Sequence, residues 1–410
     1  MTSVTQLVKL NNALKAASFA ATLSWIGWVP RLPDIKDHLG LSLDQLGTIL
    51  MISGLTLSVA SRPTAALIHH FNSKRVIVLG IAISLVGNML IATAASGLLL
   101  ALGLIVTAFG VGLVNTGNNT QINSLSVLTG ENKRNRLSAY STIGTLTSLI
   151  LGALLLNVLS TFVYLMLIQA IAIFLGLLSN RAMLNFDQGA AKKGEKAVRM
   201  PWFGKGTLPF WFALAALYGT TLAEFSVSDW GGLLARDNFH IGAPWFLVVI
   251  LFFQLGMFFG RFLSDRLNKR FGEVKNVMVG TLSGAAIWAI GIYAAAEVGK
   301  QSATLALVVA SFGFFCAGWG IGPNWGVLIS AATVPGYPPP VSLARIFGLL
   351  SLVFSFGPGL VGWLARAVGL ENAMLLPISC LALVGVLVPK IVASDRRARE
   401  LLAQELSSEI

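Results

Sequence analysis

The sequence predicts an all-α membrane protein of twelve transmembrane helices in two six-helix bundles. Three observations predict it. The first is composition: 55% of the 410 residues are hydrophobic and only 11% are charged, with a mean hydropathy of +0.77. A soluble domain carries ~25% charged residues, and this much apolar surface cannot be hidden from water in one core, so its solvent is lipid. The second is the spacing of charge. None occurs between Arg75 and Glu131, between Arg136 and Arg181, or between Lys300 and Arg345; each gap holds two spans of ~20 residues and a turn. The third is a repeat about 200 residues apart. Leu67-Ile68-His69-His70-Phe71-Asn72-Ser73-Lys74-Arg75 returns as Leu267-Asn268-Lys269-Arg270-Phe271-Gly272-Glu273-Val274-Lys275, Gly80 falls opposite Gly280, and Ser24 and Trp28 are echoed by Ser226 and Trp230. Two related membrane halves suit transport, in which two bundles rock about a site and expose it to each side in turn.

In chain order the first half holds spans at roughly 10–30, 46–68, 76–95, 98–127, 137–157 and 160–180. Lys9 and Arg31 bracket the first, the basic turn Lys74-Arg75 separates the second from the third, Arg136 precedes the fifth, and Arg181 closes the sixth. The second half holds roughly 208–233, 243–264, 276–297, 303–330, 343–365 and 371–391. Lys275 opens the ninth, Lys300 precedes the tenth, which contains Pro323, and Arg366 follows the eleventh. These runs lack the dyad alternation of barrel strands, so helices are the spanning element. The organisation is therefore a bundle at 1–180, a polar linker at 181–207, a bundle at 208–393 and a tail at 394–410, where a short surface helix can form.

The formal charge of +12 does not indicate nucleic acid, because the charges sit in short loops between apolar runs. They set orientation instead. With both termini in the cytoplasm, 23 Lys and Arg residues lie on that side and only Arg31, Lys36, Arg236, Lys300 and Arg366 on the other, with Arg62 inside a span. The first apolar stretch runs on as a full span, without a short core ending at an A-x-A site, so no cleavable signal is expected. Cys316 and Cys380 fall within spans and support neither a disulfide framework nor a metal site. No cofactor is expected.

Twelve helices in two halves, with a basic turn after the second helix of each, resemble the major facilitator superfamily. The segment Gly260-Arg261-Phe262-Leu263-Ser264-Asp265-Arg266, followed by Arg270-Phe271-Gly272, is similar to that superfamily's signature between the second and third helices of a half. The first copy is degraded: Ala65 and Leu67 stand at the Gly and Leu positions, His69, His70 and Asn72 replace the usual Asp, Arg and Gly, and Lys74 and Arg75 remain. A narrower resemblance, to the YbjJ-like bacterial transporters, rests on Trp28-Val29-Pro30-Arg31-Leu32-Pro33-Asp34-Ile35, Leu39 to Ser42, Gln45 to Gly47, Asn119 with Gln121, Glu224 with Asp229-Trp230, and Phe356-Gly357-Pro358 with Gly362. Asn115 stands where that branch usually has Asp, and Ser138 near a usual His. The resemblance implies transport of a small solute across a bacterial inner membrane by a multi-pass protein that works as a monomer. It also implies a latch role for Asp265 and Arg266, holding the cytoplasmic ends of helices in one state.

Glu224 is the sharpest single residue. It lies about sixteen residues into the seventh span among apolar or small neighbours. An ionisable group at membrane depth is expensive and usually faces the bundle interior or a water-filled cavity. Burial raises the pKa of such a carboxylate, so Glu224 can take up and release a proton, or hydrogen-bond a substrate hydroxyl. Asp229 lies about 140° round the same helix; it is a second proton-coupling candidate and a gate partner for Arg31 across the outer mouth, with an interfacial anchor as the plain alternative. The fourth span carries Asn115, Asn118, Asn119, Gln121 and Asn123; the first three fall within about 100° of arc. This neutral stripe suits a hydroxyl-rich or zwitterionic ligand, or helix–helix hydrogen bonding. Trp25, Gln254, Asn324 and Trp325 complete the expected substrate-binding set, because aromatic planes beside amides are suited to sugar rings. Trp28 and Trp230 read as interfacial Trp. Arg62, before Pro63, faces a cavity or latch or snorkels to the cytoplasmic edge.

The reading is a secondary active transporter of a small polar solute, such as a sugar or related compound, working by alternating access as a proton symporter. Nothing resembles a Walker A loop, which excludes primary transport by this chain alone. A proton-coupled drug or metabolite efflux pump is the alternative within transport, although Gly144 to Gly152 lacks the proline that many efflux members carry. A receptor or sensor on a transporter fold is the alternative of another class; it normally adds a soluble domain. An enzyme is not expected, because the four histidines form no nucleophile–base grouping.

Overall fold

In a computed structural model of the protein, the described residues are 4–129, 134–185, 208–331 and 339–408; the side chains of Arg62 and Asp265 lie outside what is described. They form helices, and no strand is found among them. The chain divides into two compact units, Met1–Glu195 and Lys196–Ile410. The expected linker falls mostly outside the described residues.

The first unit contains α1 (Val4–Ile26), a 3-10 turn at Val29–Arg31, α2 (Leu32–His38), α3 (Leu43–Phe71), α4 (Ser73–Ala92), α5 (Gly97–Thr129), α6 (Arg134–Leu155) and α7 (Thr161–Arg181). The second contains α8 (Leu208–Asp237), α9 (Phe246–Phe271), α10 (Glu273–Gly299), α11 (Ala303–Ile321), α12 (Asn324–Ala331), α13 (Pro339–Val368), α14 (Leu370–Ala373) and α15 (Leu375–Ser408). Each expected span overlaps a helix over most of its length. Nine helices among the described residues are long and apolar enough to cross a membrane.

The helix ends follow local chemistry. Ser42 precedes α3 and donates its N–H to Gln45 Oε1 at 3.0 Å, and Ser160 and Ser302 cap α7 and α11 by accepting from Val163 N and Leu305 N. These short oxygens satisfy amides that have no partner in the first helical turn. The repeated turn is visible in the backbone. One residue joins α3 to α4 and one joins α9 to α10: Asn72 at φ 65° and Gly272 at φ 84°. Asn is among the few non-glycine residues that tolerate positive φ, which explains how the first copy lost its glycine without losing the turn. Asn72 Oδ1 also accepts from Arg75 N at 3.1 Å.

Within each unit the third and fourth principal helices approach closely. A Cβ on Gly80 would stand 2.6 Å from Gly110 O, between α4 and α5; one on Gly284 would stand 2.6 Å from Cys316 O, between α10 and α11. Contacts this short need glycine, and small residues are what let membrane helices pack when lipid is as apolar as Leu. The interiors are filled by large side chains, among them Tyr164 in the first unit and Phe210, Trp230, Trp288 and Phe314 in the second, all fully buried.

The structure corrects several sequence expectations. The first long helix starts at Val4 and ends at Ile26, and the Pro-rich segment after it turns into the 3-10 turn and α2. The tenth span is two helices, α11 and α12, separated at Gly322-Pro323. The expected tail is not a separate element, since α15 continues through it to Ser408. Trp28 and Trp230 are 3% and 0% exposed, so they are core side chains of their bundles and not interfacial anchors.

Candidate functional site

The break at Gly322-Pro323 builds the site. Pro323 brings no amide hydrogen to the helix and clashes with its preceding turn. Gly322 fits because a Cβ there would stand 2.8 Å from Met257 O and 2.9 Å from Arg261 N of α9. The interruption turns Asn324 and Trp325, the first residues of α12, toward α8 and α10.

Asn324 is fully buried, and both ends of its amide are engaged. Its Oδ1 lies 3.0 Å from Thr281 Oγ1 of α10, whose hydroxyl also lies 3.1 Å from Gly320 O beside the break. Its Nδ2 donates to Thr220 Oγ1 of α8 at 3.4 Å, and Thr220 in turn donates to Ala216 O at 2.9 Å. Thr220 and Thr281 are also fully buried. Polar groups so deep cost free energy unless paired, and this chain pairs them across three helices.

One helical turn beyond Thr220 stands Glu224, and one residue beyond Asn324 stands Trp325. The indole N–H of Trp325 donates to Glu224 Oε2 at 3.2 Å. Both side chains are only partly buried. Glu224 and Trp325 thus form the accessible end of a polar chain whose inner end is sealed. A carboxylate offers about four acceptor positions, so the indole leaves room for substrate donors, while the indole ring supplies an apolar face. The arrangement can bind a hydroxyl or amino group next to a flat or ring-shaped apolar surface.

Of the residues expected to contact substrate, the structure brings together Glu224, Trp325 and Asn324. Asn324 is corrected from a ligand-facing amide to a buried clamp, because it is fully buried with each end of its amide bonded to a neighbouring helix. Gln254 on α9 is buried. Asp229 on α8 is partly exposed and has no hydrogen bond or ion pair among the described residues. Arg266 is exposed; the side chain of Asp265, the other residue of the expected latch, lies outside what is described, as does that of Arg62.

The other expected residues belong to the first unit. The amide stripe of α5 divides by face: Asn115, Asn119 and Asn123 are exposed, whereas Asn118 and Gln121 are buried. Trp25 is partly buried and meets Trp28 edge to face, with centroids 6.4 Å apart. Gln121 reads the backbone of Leu184 in both directions, accepting from its N–H at 3.0 Å and donating to its carbonyl at 2.9 Å. It also donates to Ser73 Oγ at 2.8 Å. Lys74 Nζ donates to Met183 O and Asn72 Nδ2 to Asn185 O, so the chain leaving α7 is pinned to the α3–α4 turn and to α5.

Arg31 also departs from expectation. It is 2% exposed, and its terminal nitrogens donate to Leu156 O at 2.9 Å and to Leu155 O and Leu159 O at 2.8 Å. Tyr164 lies under the guanidinium at 4.8 Å, and Asp34 is its carboxylate neighbour at 3.7 Å. A cation on the last carbonyls of a helix satisfies orphan acceptors and the negative end of its dipole. Arg31 is thus a cap on α6, which replaces its expected role as an outer gate.

Sequence reasoning did not find Thr220, Thr281 or the Ser24–Gln169 pair, in which Ser24 Oγ lies 3.1 Å from Gln169 Oε1 and 2.8 Å from Gln169 Nε2. The one available signal for Thr220 was its spacing, four residues before Glu224.

Three comparisons bear on this architecture. The chain matches the family model of the Major Facilitator Superfamily over residues 16–335. It is 24% identical over 386 residues to an uncharacterized MFS-type transporter of Yersinia pestis, covering 93% of this chain and 94% of that one. Its fold is similar to a crystallised mutant of the nucleoside transporter NupG, with a TM-score of 0.71 and 14% identity over 93% of this chain and 99% of that one. It is also similar to a bacterial homolog of the human lysosomal transporter Spinster in an inward-facing, unoccupied conformation, with a TM-score of 0.66 and 16% identity over 97% of this chain and 93% of that one.

Proposed function

The chain belongs to the major facilitator superfamily, a family of membrane transporters and not of enzymes, and from that premise we propose that it is a proton-coupled secondary transporter of a small polar solute. One observation carries this reading: the Glu224 carboxylate, near the middle of α8, accepts from the Trp325 indole at 3.2 Å, and no other side-chain partner is found for it among the described residues. Ionisable groups at membrane depth mark substrate or proton pathways. A carboxylate beside an indole favours a solute with hydroxyl or amino donors on a ring. A nucleoside, which is what one structural neighbour is named for, has that chemistry, and so does a sugar.

In this reading Glu224 alternates between holding a proton and holding substrate or Trp325, with Asp229 as a second proton carrier on the same helix. The fold's two units work by alternating access. The strong excess of Lys and Arg on one set of loops supports a multi-pass protein with both termini in the cytoplasm of a bacterium, in its inner membrane, acting as a monomer. Asp265 and Arg266 serve as a cytoplasmic latch.

The test is thermal unfolding of the purified protein in detergent against nucleosides, sugars, amino acids, organic acids and lipophilic cations. A ligand at 100 times its Kd stabilises the folded state by ~2.7 kcal/mol. A polar solute is expected to raise Tm, and Glu224→Gln to abolish the rise. Stabilisation by lipophilic cations alone would replace polar-solute transport by efflux.

A further inference from the structure

The first unit contains a small cavity between α1, α4, α5 and α7. The centre of a water-sized sphere can move through about 20 Å3 of it. One water needs ~10–15 Å3 by this measure, whereas a drug-sized ligand needs a cleft of ~300 Å3 or more. The volume therefore excludes a transported solute and admits a water.

The wall is apolar apart from Ser24, Ser84, Asn118 and Gln169. Asn118 is 4% exposed, and its Oδ1 has no hydrogen-bond partner. Buried amide oxygens are rarely left so. Across the cavity, Gln169 uses one N–H on Ser24 Oγ at 2.8 Å, and its amide carries a second. Ser84 gives its proton to Ile81 O at 3.0 Å and keeps lone pairs on Oγ. A dry apolar void asks for nothing, but this one has an unpaired acceptor on α5, a spare donor on α7 and a spare acceptor on α4.

We propose that the cavity is a buried hydration site. One ordered water donates to Asn118 Oδ1 and to Ser84 Oγ and accepts from Gln169 Nε2, bridging α5 and α4 to the α1–α7 pair held by Ser24 and Gln169. The water makes three bonds, as buried waters ordinarily do.

Hydroxyl-radical labelling by X-ray pulses, on the full chain in detergent, tests this, because radicals form where water resides. Ile77, Ile81 and Val114 line the cavity; Leu10 and Leu14 are buried in the same core cluster away from its wall. Oxidation of the first three at several times the level of Leu10 and Leu14 is expected, falling to that level in Asn118→Leu. Background labelling in the wild type overturns the proposal. So does strong labelling that persists in Asn118→Leu, since water then arrives without being held by the amide. Thermal unfolding gives a second readout. If the water is present, Asn118→Leu lowers Tm; a rise shows that the leucine relieved a dry, unpaired acceptor. Should Asn118→Leu not yield folded protein, Gln169→Leu is read by the same labels and the same criteria.

Discussion

Trp325 and Glu224 meet through one hydrogen bond of 3.2 Å, indole N–H to carboxylate, at the point where a broken helix faces an unbroken one. The bond stands on a bonded support, because Asn324, next to Trp325 in the chain, and Thr220, one helical turn before Glu224, are hydrogen-bonded to each other. Two different consequences follow for the accessible pair and for the clamp beneath it.

Glu224→Gln keeps an acceptor for the indole but removes the carboxylate charge. Uptake into proteoliposomes is expected to fall by at least tenfold, with Tm within about 1 °C of wild type because the side chain is only partly buried. Trp325→Phe keeps the ring and removes the donor, and a smaller loss, of about threefold, is expected. A hydrogen bond to a charged group contributes ~1.5–3 kcal/mol, and partial exposure places this one at or below the lower end. Wild-type uptake in Glu224→Gln would remove the residue from the mechanism.

Asn324→Leu behaves in the opposite order. The leucine leaves Thr220 and Thr281 facing each other's lost partner in a site with no exposure. Thr281 can still turn to Gly320 O and Thr220 still donates to Ala216 O, so neither hydroxyl is orphaned; two buried hydrogen bonds are lost, at ~0.5–1.5 kcal/mol each. At ~2–4 °C per kcal/mol, Tm should fall by several degrees in a fluorescence-monitored melt. Asn324→Asp, which keeps the acceptor for Thr281, should not recover the loss at Thr220. A Tm unchanged by Asn324→Leu would mean that the amide does not clamp the three helices.

The fate of Arg31 gives a further test. Its planar fork reaches three carbonyls at once, which an ammonium cannot reproduce. Arg31→Lys and Arg31→Met should both lower Tm, the lysine variant by more than half as much as the methionine variant. Asp34→Asn should change Tm by less than about 1 °C, since that carboxylate stands 3.7 Å away and is largely exposed. If Asp34→Asn is as damaging as Arg31→Met, the ion pair and not the cap is what holds the end of α6.

These residues also show what a sequence reveals. Glu224 stands out in the sequence because an acid between small and apolar neighbours is costly at membrane depth, and the structure adds its bond to Trp325. The twelve helices were legible because charge is excluded for lengths that match a bilayer. Thr220 and Thr281 were not, since a threonine in a membrane helix usually satisfies itself on the carbonyl four residues back, as Thr64 does on Ala60, and one that also reaches a neighbouring helix is spelled the same way. Arg31 misled for a related reason. Its partners are backbone carbonyls, which every residue type supplies, so no sequence pattern marks them. In α5 the amides divide at the edge of their shared arc: Asn118, about 60° to one side of Asn115, is buried, whereas Asn119, about 40° to the other side, is exposed.

Gln121 offers a test at the end of the first unit where α7 leaves the bundle. It pairs with the N–H and the carbonyl of Leu184 together, and Gln121→Leu removes both bonds as well as that to Ser73. The residues after α7 should then leave the α3–α4 turn more often, and trypsin should cut after the exposed Arg181 about tenfold faster, as followed by mass spectrometry of the fragments. Proteolysis tracks the population of the open form when opening is fast. Gln121→Glu keeps the acceptor for Leu184 N and should fall between the two. Equal cleavage in all three would show that Lys74 and Asn72 hold the segment alone.

The duplicated turn supplies the last test, because the two copies have solved one backbone requirement with different residues. Asn72 and Gly272 both hold positive φ. A Cβ at Gly272 would meet nothing within 4 Å, so any cost of a side chain there comes from the backbone alone. Positive φ with ψ of 160° at Asn72 and 143° at Gly272 is a strained combination that costs an L-residue ~1–3 kcal/mol, and Asn is among the residues most often found at positive φ. Gly272→Ala should therefore lower Tm by a few degrees and Gly272→Asn by clearly less. At Asn72 the glycine variant keeps the conformation but loses the cap on Arg75 N and the bond to Asn185 O. Asn72→Ala loses these and adds the strain, so it should be the worse of the two. If alanine and asparagine at 272 are equally tolerated, the positive-φ turn is not what the repeat preserves, and its persistence must rest on the basic residues around it.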